Sequence, residues 1–378
     1  MKIMLLVSSM NAGGAERVAA TLASAWVKQG HQVVLMPCFS KGNGRSFYPV
    51  HPDVQIKWLA DDLPRQKWLG RLSKPFVLKK RIRAEQPDVI VSFLTNVNVT
   101  TLMATRDIDI PVIVCERTHP VISNNIDGVL KMLRKKLYPQ ADAVMIQTED
   151  AAQAFMQVLP GLKRVAVIPN PLPEGIEQVT SCNGLCTVTG RKTLVAMGRF
   201  VPAKQFDILI EVFATISHDY PDWDLCIWGD GPERATLIDK VKKMGCSQRI
   251  TLPGTTSKPW QELSHAHVFV MTSRVEGFPN VLLEAMALGL PSISFDCPSG
   301  PAELTQQGTT GLLVRLNDKL ELEKAIRRFL CDDGFRCSLG ARGKQSVWAR
   351  YRLETVLQQW DELFRQVGVP VSGKTDIQ

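Results

Sequence analysis

No stretch of about eighteen apolar residues, the length needed to cross a bilayer, occurs in this 378-residue chain. The opening segment MKIMLLVSSMNAGGAER carries only a short apolar run that ends in a glycine turn, too brief for the h-region of a secretory signal. The expectation is a cytoplasmic protein that is not integral to a membrane. The cysteines, nine in all, are odd in number, and several fall inside apolar runs. That pattern favours reduced thiols over a disulfide framework. Cys182 and Cys186 lack a second Cys/His pair at zinc spacing, so a metal knuckle has no other half. The first glycine turn lacks G-x-G-x-x-G spacing, and no acid ends the apolar run Val33–Met36, which disfavours a nicotinamide dinucleotide site.

What is present reads as a globular protein with 45% apolar and 22% charged residues, long enough for two domains. The net charge of +8 is concentrated locally. Segment 65–83 holds Arg65, Lys67, Arg71, Lys74, Lys79, Lys80, Arg81 and Arg83 with no acid among them. Segment 131–136 holds Lys131, Arg134, Lys135 and Lys136 on a stretch that also carries Val129, Leu130, Met132, Leu133, Leu137 and Tyr138. Such basic amphipathic segments fit an anionic membrane surface or an ordinary solvated face. Nucleic acid is the third reading, but aromatic residues are not interleaved with the cations at a known spacing, and no nucleic-acid partner is expected.

The chain alternates short apolar runs with amphipathic stretches, the pattern of an α/β fold with parallel sheets covered on both faces. Strands are expected at Lys2–Ser8, Gln32–Cys38, Val54–Leu59, Asp88–Phe93, Pro111–Glu116, Ala143–Gln147 and Val165–Ile168, with helices over Glu16–Gln29 and Leu69–Glu85. A Pro, Gly, Ser and Thr-rich stretch then interrupts the rhythm. It restarts with strands at Thr193–Gly198, Trp223–Trp228, Ile250–Leu252, Val268–Thr272, Ser292–Phe295 and Gly311–Val314. This gives two doubly wound domains facing a cleft: 1–171, a linker 172–191, and 192–350. A final helix over 351–368 is expected to cross back to the first domain, followed by a frayed tail, 369–378.

Two groups of residues suit phosphate chemistry. Gly13 and Gly14 join the first strand to a helix, where backbone N–H groups can approach an anion, although a structural turn reads equally well. Arg199 follows Gly198 at the end of a strand, and Lys204 is expected to open the next helix. A guanidinium fork and an ammonium at the carboxyl end of a parallel sheet suit a diphosphate; the plain reading is two surface cations. Further on, Glu276 stands in a loop after a strand, and a helix is expected to begin near Asn280 with its free N–H groups facing the same crevice. Glu284, one turn inside, needs hydroxyls or a cation unless it is an ordinary polar position. The pairs Asp107/Asp109 and Asp222/Asp224 are expected before strands, at the wrong end of a sheet for a ligand-bound metal, and read as surface.

Gly198-Arg199-(x4)-Lys204 and Glu276-(x7)-Glu284, with Gly277-Phe278-Pro279 between the acids, resemble family 4 of the retaining glycosyltransferases. Gly13-Gly14-Ala15-Glu16-Arg17, Ile168-Pro169-Asn170-Pro171 and Trp228-Gly229-Asp230-Gly231-Pro232 extend the resemblance over essentially the whole chain. It implies a GT-B fold and no metal or other cofactor. It also implies a nucleotide-sugar donor held mainly by the second domain. Arg199 and Lys204 would neutralise the leaving diphosphate, Glu284 would bind ribose, and Glu276 would touch the sugar. Phe278, Pro279, Asn280 and Val281 would line the donor through the helix start. In the first domain, Glu116-Arg117-Thr118-His119 is the best match to the group near the reacting centre, with His119 catalytic and Glu116 and Arg117 at an acceptor or sugar pocket. The segment Asp296–Glu303 is similar to members using UDP-hexoses or UDP-acetamidohexoses in bacterial surface-polysaccharide assembly. The implied acceptor is a polyprenyl-diphosphate-linked saccharide or a lipid A-core saccharide. It would be met at the inner face of the cytoplasmic membrane through the basic segments. A nucleotide-sugar epimerase of the same fold, or a binding module without turnover, is the competing reading.

Overall fold

Apolar residues arrive in short continuous runs, so the strands they form are buried on both faces and need helices above and below. The computed structural model describes residues 1–40, 45–64, 67–118, 127–179 and 190–371, with backbone alone for 67–72. They divide into two units, Met1–Pro171 with Glu354–Gln378, and Leu172–Leu353.

In the first unit the strands are β1 (Lys2–Val7), β2 (Gln32–Pro37), β3 (Gln55–Ile56), β4 (Val89–Phe93), β5 (Val112–Cys115), β6 (Ala143–Ile146) and β7 (Val165–Val167). Between them lie α1 (Gly14–Lys28), α2 (Lys67–Glu85), α3 (Thr95–Thr105), α4 (Gly128–Leu137) and α5 (Glu149–Val158). The sheet order is β3-β2-β1-β4-β5-β6-β7, with parallel pairing throughout. The chain therefore winds outward from β1 in one direction and from β4 in the other, leaving a switch point between them. Met4, Leu6, Val34, Ile90, Val114 and Phe155 belong to the core that covers the sheet.

The second unit repeats the plan with β8 (Lys192–Met197), β9 (Trp223–Trp228), β10 (Ile250–Gly254), β11 (Val268–Met271), β12 (Ser292–Asp296) and β13 (Leu312–Arg315). Its helices are α6 (Phe206–Ile216), α7 (Arg234–Lys243), α8 (Pro259–Ser264), α9 (Asn280–Ala287), α10 (Pro301–Leu304), α11 (Lys319–Cys331) and α12 (Asp333–Tyr351). The order β10-β9-β8-β11-β12-β13 places the switch point between β8 and β11. The last helix, α13 (Leu353–Gln366), belongs to the first unit apart from its first residue. Trp360 and Phe364 pack on Trp26 of α1 with ring centroids 5.5 and 5.7 Å apart.

Several local expectations change. The run Val54–Leu59 yields only a two-residue strand, because the chain turns into a 3-10 helix at Leu59–Asp61. The expected linker begins as part of the second unit: Leu172 and Ile176 are buried in its core, and the Leu172 amide bonds the Tyr351 carbonyl at 2.7 Å. Asp224 lies within β9, not before it, clamped by Arg191 and Arg249. Val369 is buried and bonds its amide to Phe364, so the described start of the tail is packed. Residues 180–189, which include Cys182 and Cys186, lie outside the described residues, and the other cysteines are free thiols.

Candidate functional site

Ligands of doubly wound sheets gather outside the strand ends at a switch point, and the two second-unit motifs occupy the loops after β8 and β11. Gly198 and Phe200 donate their amides to the carbonyls of Trp228 and Asp230, at 3.0 and 2.8 Å. Those bonds hold the peptide of Arg199 against the loop after β9. The approach is so close that a Cβ on Gly229 would stand 1.9 Å from the Gly198 oxygen, and one on Gly231 2.4 Å from the Phe200 oxygen. Both glycines also have positive φ, +150° and +154°, so a side chain is excluded by space and by conformation. The Arg199 side chain itself is exposed.

Lys204 does not open α6. It closes the 3-10 turn Pro202–Lys204, and Gln205 at φ +50° redirects the chain before Phe206. Its carbonyl accepts the Thr272 hydroxyl at 2.9 Å, while the neighbouring Ala203 carbonyl accepts the Arg274 amide at 2.8 Å. The loops after β8 and β11 are thus tied together. The Lys204 stem passes within 3.5 Å of where a Gly198 Cβ would lie, and its ammonium pairs with Glu276 Oε1 at 2.5 Å. Cys297 is buried beside this pair, and burial pushes its thiol pKa up. The Glu276 amide points to the Pro298 carbonyl at 3.4 Å, so the segment after β12 borders the same place.

Helix α9 starts at Asn280 with Pro279 at its cap position, and the Asn280 amide donates to the Phe278 carbonyl at 2.9 Å, so an anion at this helix start would meet the amides that follow it. Phe278 is buried against Tyr351, so what Gly277, Phe278 and Pro279 can offer a ligand is main chain. Val281 packs partly buried on the core. Glu284 is 1% exposed, and its Oε2 accepts the Trp260 indole N–H at 2.9 Å. Motif reading missed Trp260. The available signal was generic, since a packed indole needs an acceptor, and 24 residues separate the partners. A cavity of about 290 Å³ opens at the ends of β8, β9 and β10, lined by Met197, Gly198 and Arg199, by Trp228, Gly229 and Asp230, and by Thr255, Thr256 and Pro259, with Lys204, Glu276 and Glu284 outside its lining. Its volume approaches that of a small-molecule site.

In the first unit, the Gly13 amide is committed to the Tyr48 hydroxyl at 3.1 Å. The Glu16 carboxylate, held by Ser9 at 2.8 Å, folds across the turn. A phosphate there would face a carboxylate, so the Gly13-Gly14 turn suits hydroxyl groups better than anions. Glu116 is 2% exposed and accepts the hydroxyls of Thr95, at 2.9 Å, and Tyr138. Burial raises its pKa, with Tyr138, Arg134 and Thr95 pulling the other way. Arg117 is 8% exposed, lies 3.7 Å from the Phe93 ring centre, and donates to Asn170 Oδ1 at 2.6 Å. Burial lowers its pKa to about 10. Leu94, which caps α3 at the β1/β4 switch point, is held at φ +77°, a strained conformation invisible in the sequence pattern. His119 lies outside the described residues.

The two basic segments part company. In 65–83, Lys79 and Arg83 pair with Asp107, Arg81 pairs with Asp62, and Lys74 is buried with its ammonium 3.4 Å from the Phe39 ring centre. Acids distant in sequence therefore engage three of the segment's cations, while Lys80 is exposed and the side chains of Arg65, Lys67 and Arg71 lie outside the described residues. On α4, Arg134 turns inward, but Lys131, Lys135 and Lys136 are exposed beside Val129 and Met132, which are 64% and 62% exposed.

Residues 12–174 match the family described as Glycosyltransferase Family 4, and residues 186–346 match Glycosyl transferases group 1. The chain is similar to an exopolysaccharide phosphotransferase of Streptomyces coelicolor, 29% identical over 94% of this chain; it spans 39% of that longer protein. It is also similar to an α-1,4-N-acetyl-D-galactosaminyltransferase of Campylobacter jejuni, 26% identical over 97% of this chain and 99% of the other. That enzyme's name gives a diphospho-undecaprenol-linked GalNAc saccharide as its acceptor. HepE of Anabaena, solved in complex with UDP, shares the fold with a TM-score of 0.78 over 97% of this chain and 100% of that one, at 19% identity.

Proposed function

We propose that this chain, which belongs to the glycosyltransferases as a family 4 domain followed by a group 1 domain, is a retaining, metal-independent enzyme. On this reading it moves a hexose or N-acetylhexosamine from a UDP-sugar to a lipid-linked saccharide during surface-polysaccharide assembly. The observation that carries the reading is that Arg199 lines the cavity after β8 while Lys204, passing beside Gly198, pairs with Glu276 in the loop that leads into α9, with a buried carboxylate one turn into that helix.

Breaking a sugar–phosphate bond leaves new charge on the departing diphosphate, and fixed cations and helix amides supply their largest benefit there. Arg199 offers a fork to two phosphate oxygens, and Lys204 a point charge. Lys204 is already paired with Glu276; Glu276 would turn to the sugar hydroxyls while Lys204 turns to phosphate. Glu284, fixed on α9, would accept from the ribose hydroxyls. These groups compensate the phosphate charge without a divalent ion. The resemblance supplies retention, and UDP draws support from the UDP complex of a protein sharing the fold.

The acceptor reading draws support from the undecaprenol-linked substrate named for the Campylobacter relative and from the apolar and basic face of α4. Among the described residues no helix is long and apolar enough to cross a membrane, so contact with lipid would be peripheral.

The test is a panel of UDP- and GDP-sugars assayed for transfer with and without chelator, the product anomer being read by NMR. Transfer from a UDP-sugar with the anomeric configuration kept and full activity in chelator is expected. An inverted product, or activity that vanishes on chelation, overturns the corresponding part. Arg199→Ala and Lys204→Ala should each lower kcat by about 10²–10³, and wild-type rates in both would remove the donor grip.

A further inference from the structure

The geometry points to Trp260 as the residue that positions Glu284 for discrimination of the nucleotide's ribose hydroxyls. This rests on the donor reading above. Glu284 is almost fully buried on α9, whose Leu282, Leu283 and Met286 belong to an apolar core, and a carboxylate so buried must be held by hydrogen bonds. The Trp260 indole N–H donates to Oε2 at 2.9 Å. Trp260 is the second residue of α8, and Pro259 immediately before it lines the cavity beside Thr255 and Thr256. Consecutive residues of α8 therefore form part of the cavity wall and the clamp on the carboxylate, so one short element links the cavity to Glu284 on α9.

The indole is itself fixed. It packs against the same apolar cluster as α9, and its ring edge lies 3.8 Å from where a Cβ on Gly175 would stand. A carboxylate free at its last torsion samples a broad range of orientations. The bond from Trp260 to Oε2 fixes the plane of the carboxylate, as recognition of vicinal hydroxyls requires. Trp260 acts through Glu284 and touches no reacting atom; it is a positioning residue.

The test compares Kd values for UDP, 2′-deoxy-UDP and 3′-deoxy-UDP by calorimetry in wild type, Trp260→Phe and Glu284→Ala. A hydrogen bond to a charged group corresponds to about 10- to 100-fold, so wild type should prefer UDP over at least one deoxy form by that factor. In Trp260→Phe the preference should shrink to about threefold or less, with affinity for the deoxy form nearly unchanged. A purely structural tryptophan would weaken all three nucleotides together. Because all are measured on one preparation, any unfolded fraction cancels in the ratio. If Glu284→Ala erases the preference and Trp260→Phe keeps it, the role of Trp260 is overturned while the donor reading stands. If Glu284→Ala also keeps it, or wild type shows none, the donor reading fails at Glu284 and takes this inference with it.

Discussion

Arg199 and Lys204 are placed by main chain: Arg199 by amide bonds on either side, Lys204 by a carbonyl that accepts Thr272. The cations and their spacing were legible because a guanidinium and an ammonium at a strand end are a pair suited to a diphosphate. What sets their positions was not, since the glycines of Trp228-Gly229-Asp230-Gly231-Pro232 look like any turn until the Gly198 oxygen is found 1.9 Å from a Gly229 Cβ. Gly229→Ala should therefore push the Arg199 loop away while leaving the cation present. The expected outcome is a loss of about 1–3 kcal/mol in stability, from a left-handed position forced on alanine and from the clash, together with at least a tenfold weaker Kd for UDP. Thermal melting and calorimetry on the same variant check it; unchanged UDP affinity would show that the loop contact does not set Arg199. Lys204 was mislocated for a related reason: whether a helix starts at residue 204 or 206 depends on the φ +50° turn at Gln205, which a non-glycine residue does not advertise.

Helices α2 and α4 carry similar runs of lysine and arginine, and sequence alone does not separate them. Ion pairs distinguish them, because Asp62 and Asp107, from outside the α2 segment, engage Lys79, Arg81 and Arg83. Helix α4 keeps three exposed lysines next to Val129 and Met132. Each lysine near an anionic surface is worth about 1 kcal/mol, so Lys131→Glu/Lys135→Glu/Lys136→Glu should cut binding to phosphatidylglycerol vesicles by on the order of 10²-fold at low salt. Lys79→Gln/Arg81→Gln should change it little. Co-sedimentation measures both, and equal losses would return the α2 segment to the interface. A second element-level prediction concerns the start of β8. The buried His267 Nδ1 accepts the Thr193 amide at 3.1 Å, so folding requires neutral imidazole. Burial lowers its pKa, with Arg336 and Lys192 adding to the effect and Asp333 opposing it. The folded value lies below the unfolded one, so this stability is complete above about pH 6.5 and is lost as pH falls through the folded pKa. Between pH 8 and 5.5 wild type should lose more Tm than His267→Asn; parallel curves would exclude the histidine as the cause.

At the scale of the whole molecule, the two repeats of strand and helix were plain in the sequence because both-face burial makes parallel strands read as apolar runs. The division of the chain was less so. Periodicity marks a helix at 353–366, but its allegiance is decided by Trp360 and Phe364 meeting Trp26, more than 300 residues away in the chain. The first unit is therefore closed by the last helix, whereas the residues proposed to grip the donor all belong to the second. Trp360→Ala removes a fully buried indole, a change that costs about 3–5 kcal/mol, and the loss falls on the core that α13 shares with α1. Hydrogen exchange separates the two units. In Trp360→Ala the amides of β1, β2 and β4 should exchange faster, while those of β8, β9 and β11 keep their protection. On the proposed donor reading UDP binds the folded second unit, so adding it should slow exchange around β8 and α9 in wild type and variant alike, by linkage of ligand to the native state. Equal loss of protection in both sheets would mean that α13 stabilises the molecule as one cooperative body. In that case, the donor half would depend on Trp360 as much as the half in which the side chain is buried.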